Sequence, residues 1–273
     1  MIGWLLCLPA LLVIGLGFLW PAAILLRMSL NRTDDIGAMQ PDLTVATYAR
    51  LLDDDMLPGL AADTILLAAG CAAMAVALAF PVALAIRAAP PRWRGPLALA
   101  AVAPLLVSGT ARVIGWIAIL GDSGLVNGAL TLVGLPPQRL INNWTGVRIG
   151  LVESLMPYAV LVLIAGFGRL DARLEEAAAT LGAGRLRTFL RVTLPLSAPA
   201  LAAAFALAVV LGASAFVTPR LMGGGRVFVV ATEIFDLALQ TVDWPAAAAM
   251  AVMLLVALGT AFALRAVMPR GRA

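Results

Sequence analysis

Two ionisable side chains, Arg112 and Glu153, stand inside long apolar runs. Placing either against lipid costs roughly 2.5–3.5 kcal/mol on insertion scales, so both should face a protein interior, where they can pair. The two are either a structural ion pair, or an Arg112 that snorkels to the outer interface, or part of a path for polar cargo, and the sequence leaves these readings open. Trp116 follows Arg112 by four positions and shares its helix face; Tyr158 follows Glu153 by five and aligns less closely. Covalent chemistry has little to work with. The chain has no histidine, and its 19 basic residues are all arginine. Histidine triads, His-ligated metals and His proton relays are thereby excluded. Ser214 in Gly212-Ala213-Ser214 lacks a base to activate it. A Walker-type phosphate loop needs a lysine, so ATP hydrolysis, if it drives this protein, belongs to another chain. Cys7 and Cys71 both fall in apolar runs and read as small core residues, not a disulfide or metal pair. No enzyme activity, metal or cofactor is expected.

The elements that must position Arg112 and Glu153 follow from composition. The 273 residues are 62% hydrophobic and 12% charged, against about 25% charged in soluble domains. Continuous apolar runs point to membrane helices, not a barrel. Six are expected: Leu5–Leu26, Leu60–Ile86, Leu97–Leu120, Ile149–Phe167, Ala198–Val217 and Ala246–Val267. The first reads as a span and not as a secretory signal, because no basic residue precedes it and it exceeds an h-region of roughly 7–15 residues. Leu125–Pro136 is apolar but too short to span, and reads as a surface or re-entrant helix. The fold class is all-α, a six-helix polytopic bundle, with 1–58 as an N-terminal helix and loop, 59–267 as the core and 268–273 as a tail.

The excess of arginine over acid, net +4, speaks for topology and not for nucleic acid. With both termini inside, Arg87, Arg92, Arg94, Arg169, Arg173, Arg185, Arg187, Arg191, Arg265, Arg270 and Arg272 are cytoplasmic. That is 11 arginines against seven outside, with Arg112 in the third span. The acidic loop around Asp34, Asp35, Asp42 and Asp53–Asp55 is either a solvated face or a docking surface for an external protein.

One polar island separates the fourth and fifth spans, EAAATLGAGRLRTFLRVTLP from Glu176 to Pro195. Leu174, Ala177, Ala178 and Leu181 recur at helical spacing. Gly182 and Gly184 interrupt them, as a tight turn requires. Leu186, Phe189 and Leu190 form a second stripe among Arg185, Arg187 and Arg191, and Pro195 should end that helix. Read without further context, this is an interfacial helical hairpin with arginines at the headgroups.

The spacing adds a second reading. Glu176-Ala177-Ala178, Gly182, Val192 and Leu194-Pro195 resemble the EAA loop of ABC-importer permease subunits, with Val192 where that pattern has isoleucine. Longer segments, among them "WRGPLALAAVAPLLVSGTARVIGWIAILGDSGLVN", "FVTPRLMGGGRV" and "DWPAAAAMAVMLL", resemble the spermidine/putrescine-type branch. The resemblance implies a permease of the bacterial inner membrane with both termini cytoplasmic. It implies a partner permease, two copies of an ATP-binding subunit and a periplasmic substrate-binding protein. Residues 171–195 would be the coupling loop, and polyamines the cargo. Ferric iron, thiamine or phosphonate permeases of the same branch are the alternative. A stand-alone secondary transporter is more distant, since dense intramembrane acids are lacking.

Overall fold

The structure is a computed structural model that describes residues 2–34, 39–168 and 170–267, with the side chains of 2–6, 172 and 261–267 outside the description. Arg169, Arg270 and Arg272, the tail 268–273 and Asp35 fall outside the described residues. The chain divides into a unit of residues 62–229 and a unit of 1–61 with 230–273.

The architecture is all-α and polytopic, as read, but the number of spans is corrected. Among the described residues five helical segments are long and apolar enough to cross a membrane: Cys7–Ser29, Met56–Ala88, Gly109–Leu132, Trp144–Phe167 and Arg185–Ala213. The sixth expected span is a helix starting at Trp244, whose apolar stretch Trp244–Thr260 falls short of that length. The cytoplasmic coupling loop expected of the fold is corrected too. The fold establishes a helical hairpin at 171–195, and neither its side of the membrane nor a docking role.

Two further expectations fail for physical reasons. The apolar run 97–120 is not one helix. A helix Pro91–Val102 gives way to a 3-10 turn Ala103–Leu106, and a new helix runs Gly109–Leu120. Pro104 has no N–H to continue the ladder, and Val107 and Ser108 turn to extended backbone with ψ 139° and 133°. Nor does Pro195 end a helix. Arg185–Thr188 passes through a π-turn, Phe189–Thr193, straight into Leu194–Ala213. The wider turn makes room where the proline ring would meet the preceding carbonyl. The same device, Gly15–Leu19, precedes Pro21.

In the 62–229 unit the Met56–Ala88 helix presents a seam of small residues. Ala68, Ala72, Ala75, Ala79 and Ala83, at spacings of three and four, are fully buried. Small side chains let membrane helices approach closely where hydrophobic driving force is lacking. Below the seam, Val76, Ile86, Val160, Leu163, Phe167 and Ala204 form one core, and Phe80 meets Phe167 edge-on at 5.7 Å. Trp144–Phe167 is capped by Asn143, whose Oδ1 accepts the Gly146 N–H at 2.9 Å. Gly166 of that helix lies directly against Ala200, leaving no room for a side chain. Gly166→Leu is therefore expected to force the two helices apart and cost about 1–3 kcal/mol. A fall in the midpoint of thermal unfolding in detergent checks it, and an unchanged midpoint would show that the packing gives way freely.

The short helix Leu125–Leu132 is anchored from within the protein. Buried Asn127 donates to the carbonyls of Gly121 and Gln138 at 3.0 Å and accepts the Gln138 N–H at 2.8 Å. A buried amide so fully bonded fixes the segment's position.

In the other unit, Leu51, Val230, Ala246, Ala249 and Met250 make a small core. Asp243 organises it from the surface. Its carboxylate caps the Trp244 helix by accepting the Ala246 N–H at 3.0 Å, and accepts from the Thr33 hydroxyl at 2.6 Å and Arg50 at 2.7 Å. Burial pushes this carboxyl up, but the bonds from Thr33, Ala246 and Arg50 outweigh it, and the group sits below the usual carboxylate range. The stabilisation is thus full above that range and is lost as pH falls through the lowered value. Wild type should lose unfolding temperature below about pH 4 more steeply than Asp243→Asn. Parallel pH profiles for the two proteins would remove Asp243 from this role.

Candidate coupling and translocation site

The hairpin is built by local rules. Asp171 caps the first helix, Ala172–Thr180, accepting the Arg173 N–H at 2.9 Å. Gly182, at φ +78°, ends it. The Gly182 N–H bonds to Ala179 and the Ala183 N–H to Ala178, both at 3.0 Å, the paired bonds of a Schellman stop. Gly182 thus has a conformational role that few other residues fill.

The outer surface of the hairpin is apolar and basic. Leu181, Leu186 and Leu190 are exposed, the first by 88%, and Arg187 and Arg191 stand among them. Glu176, Ala177, Gly182 and Pro195 are exposed as well; Ala178, Val192 and Leu194 are half-buried. Most residues picked from spacing therefore lie where a partner can reach them.

The inner side is held by a residue the spacing did not single out. Glu175 Oε1 accepts from Arg87 Nη1 at 2.9 Å and from the Thr193 hydroxyl at 2.8 Å. One carboxylate thus ties the first hairpin helix to the last turn of Met56–Ala88 and to the π-turn. Spacing carries no signal for Arg87, which counts only as a topology charge, nor for Thr193, which lies between the motif positions Val192 and Leu194.

Within the apolar spans the structure brings Arg112 and Glu153 together. Nη1 and Oε1 are 3.5 Å apart, with the side chains 14% and 23% exposed. The pair is loose: Arg112 Nε and Nη1 are buried without a hydrogen-bond partner. The Ser154 hydroxyl donates to Glu153 Oε2 at 3.5 Å. Trp116 is half-buried on the same helix as Arg112, while Tyr158 is exposed. The arrangement offers one neutralised charge pair, with unmet donors on the guanidinium.

Comparison with known proteins gives this geometry its context. Residues 72–272 match the family model described as "Binding-protein-dependent transport system inner membrane component". The chain is 30% identical over 267 residues to the spermidine/putrescine transport system permease protein PotB of Escherichia coli (strain K12), covering 94% of this chain and 91% of that one. Similarity to the ferric transport system permease protein FbpB of Actinobacillus pleuropneumoniae is 31% over 140 residues, half of this chain and 20% of that one. Among solved structures, a bacterial ABC transporter involved in import of the acidic polysaccharide alginate superposes with a TM-score of 0.73, at 20% identity, over 98% of this chain and 96% of that one. At that identity the likeness speaks for the fold.

Proposed function

Because this chain belongs to the family of binding-protein-dependent transport system inner membrane components, and is thereby a non-catalytic, translocation-pathway permease subunit of an ABC-type importer, we propose that its cargo is a polyamine. The observation that carries this reading is the 30% identity to PotB over 94% of the chain. The ferric permease resembles only half of it.

The hairpin at 171–195 is the element through which ATPase movement reaches the bundle. Its exposed leucines, arginines and Glu176 offer a partner both apolar and charged contacts, and the Glu175 bonds tie it to a spanning helix. A rigid hairpin so tied moves as a lever. The assembly comprises two ATP-binding subunits, a second permease and a periplasmic binding protein, in the inner membrane of a bacterium, with both termini cytoplasmic. Cargo passes Arg112, Trp116, Glu153 and Tyr158. Since Arg112 neutralises Glu153, discrimination among cargoes lies mainly in the binding protein.

ATP hydrolysis by the reconstituted complex, with its matching binding protein, tests this. Spermidine, putrescine, thiamine, ferric iron and an aminophosphonate are supplied in turn. Polyamines alone should stimulate it. Stimulation by another ligand would overturn the cargo and leave the mechanism.

A further inference from the structure

Behind the hairpin lies a cleft of about 970 Å³ that the transport reading does not use. Its position is set by the spans. Arg87 ends the segment Met56–Ala88, Phe167 ends Trp144–Phe167, and Arg185 begins Arg185–Ala213. Three apolar segments of membrane-spanning length thus terminate at one place, which is where a bilayer passes from hydrocarbon to headgroup. The chemistry of the cleft changes in the same sense. Leu84, Phe167 and Phe189 stand in an apolar wall, and Arg87, Arg94 and Arg185 add three guanidinium groups.

Among the described residues, Glu175 is the acid in this lining, and it is committed to Arg87. Arg94 spends its Nε on the Ala89 carbonyl at 2.8 Å, which leaves its terminal nitrogens available for a ligand. Neither Arg94 nor Arg185 has a carboxylate partner among the described residues. Arginine forks match phosphate oxygens in geometry as well as charge. A free phosphate would leave the apolar wall uncovered, and a neutral acyl chain would leave the arginines unmet. A molecule with an anionic head and an apolar tail satisfies both, and basic pockets between helices at the membrane surface take such heads.

We propose that this cleft is a binding site for one anionic phospholipid, its phosphate held by Arg94 and Arg185 beside the Arg87–Glu175 pair and its chain laid on the wall of Leu84 and Phe189. The site lies against the hairpin, so its occupant also packs behind that element.

The test uses the purified permease complex, delipidated in detergent, with three probes: dioctanoyl phosphatidylglycerol, dioctanoyl phosphatidylcholine and glycerol phosphate. The anionic lipid should bind at least about tenfold tighter than the zwitterionic one, and glycerol phosphate should bind more weakly still. Arg94→Gln with Arg185→Gln should abolish the preference, while the matching lysine pair retains it. Both arginines are exposed, so unfolding temperature should hold in either variant. No preference for the anionic lipid, or a preference that survives the glutamine pair, overturns the proposal. Equal binding of glycerol phosphate would make this a free-anion site and also overturn it. So would a photocrosslinking side chain at Ala98, another lining residue, that captures a neighbouring subunit instead of lipid.

Discussion

Glu176→Arg should reduce uptake to the level of cells lacking the chain, while the protein still inserts and folds. Glu176 is exposed on the hairpin and makes no side-chain hydrogen bond or ion pair among the described residues. Its replacement therefore tests an external partner and little else. Reversing a charge in a docked interface costs several kcal/mol, which is a loss of about 100-fold or more in productive docking. Glu175 provides the internal comparison. Glu175→Arg places a cation against Arg87 and removes the acceptor of the Thr193 hydroxyl. Charged hydrogen bonds are worth roughly 1.5–3 kcal/mol, less here because both side chains are partly exposed. This variant should unfold at lower temperature and transport poorly, and Arg87→Glu in the same chain should recover both. The two adjacent carboxylates thus part company: Glu176 fails without a stability change, and Glu175 fails with one that a charge swap repairs. Uptake and thermal unfolding on the same preparations read the difference. Full uptake in Glu176→Arg would remove coupling through this hairpin.

The contrast between Glu175 and Glu176 also shows where sequence reading reaches. Local rules were legible. Of the two turn glycines read from the sequence, Gly182 stands at φ +78°, while Gly184, at φ −65°, has a backbone any residue can adopt. The helical stripes at Leu174–Leu181 and Leu186–Leu190 follow from period alone. The apolar runs locate most of the spanning helices. What failed had no signature in composition. The 97–120 run is apolar throughout, yet Pro104 and the extended Val107 and Ser108 break it. Hydropathy is blind to a break that changes no residue's polarity. Pro195 read as a stop because a proline usually is one, and the π-turn that absorbs it depends on backbone geometry. The Arg87–Glu175 bond spans 88 positions, and no spacing rule connects residues so distant. A contact between Arg112 and Glu153 was open to sequence reading for the opposite reason, because each alone is costly against lipid.

That pair makes the last prediction. Glu153→Gln removes the counterion of a guanidinium whose Nε and Nη1 are already buried without a hydrogen bond. Stranding one member of a buried pair costs about 3–5 kcal/mol, so this variant should fold poorly and give little protein in the membrane. Arg112→Gln should be milder, because Glu153 is the more exposed member of the pair and keeps the Ser154 hydroxyl as a donor. The double variant, Arg112→Gln with Glu153→Gln, carries no charge to strand. It should recover most of the unfolding temperature, since replacing a buried ion pair as a unit is often neutral. Its transport then separates the two readings of the pair. If cargo passes these side chains, the double variant is stable and yet takes up cargo at least about tenfold more slowly, a barrier change near 1.4 kcal/mol. If the pair only holds helices together, stability and uptake return in step. A single variant as stable as wild type would mean that the 3.5 Å contact contributes nothing, and that Arg112 finds its counter-charge in water or at the headgroups.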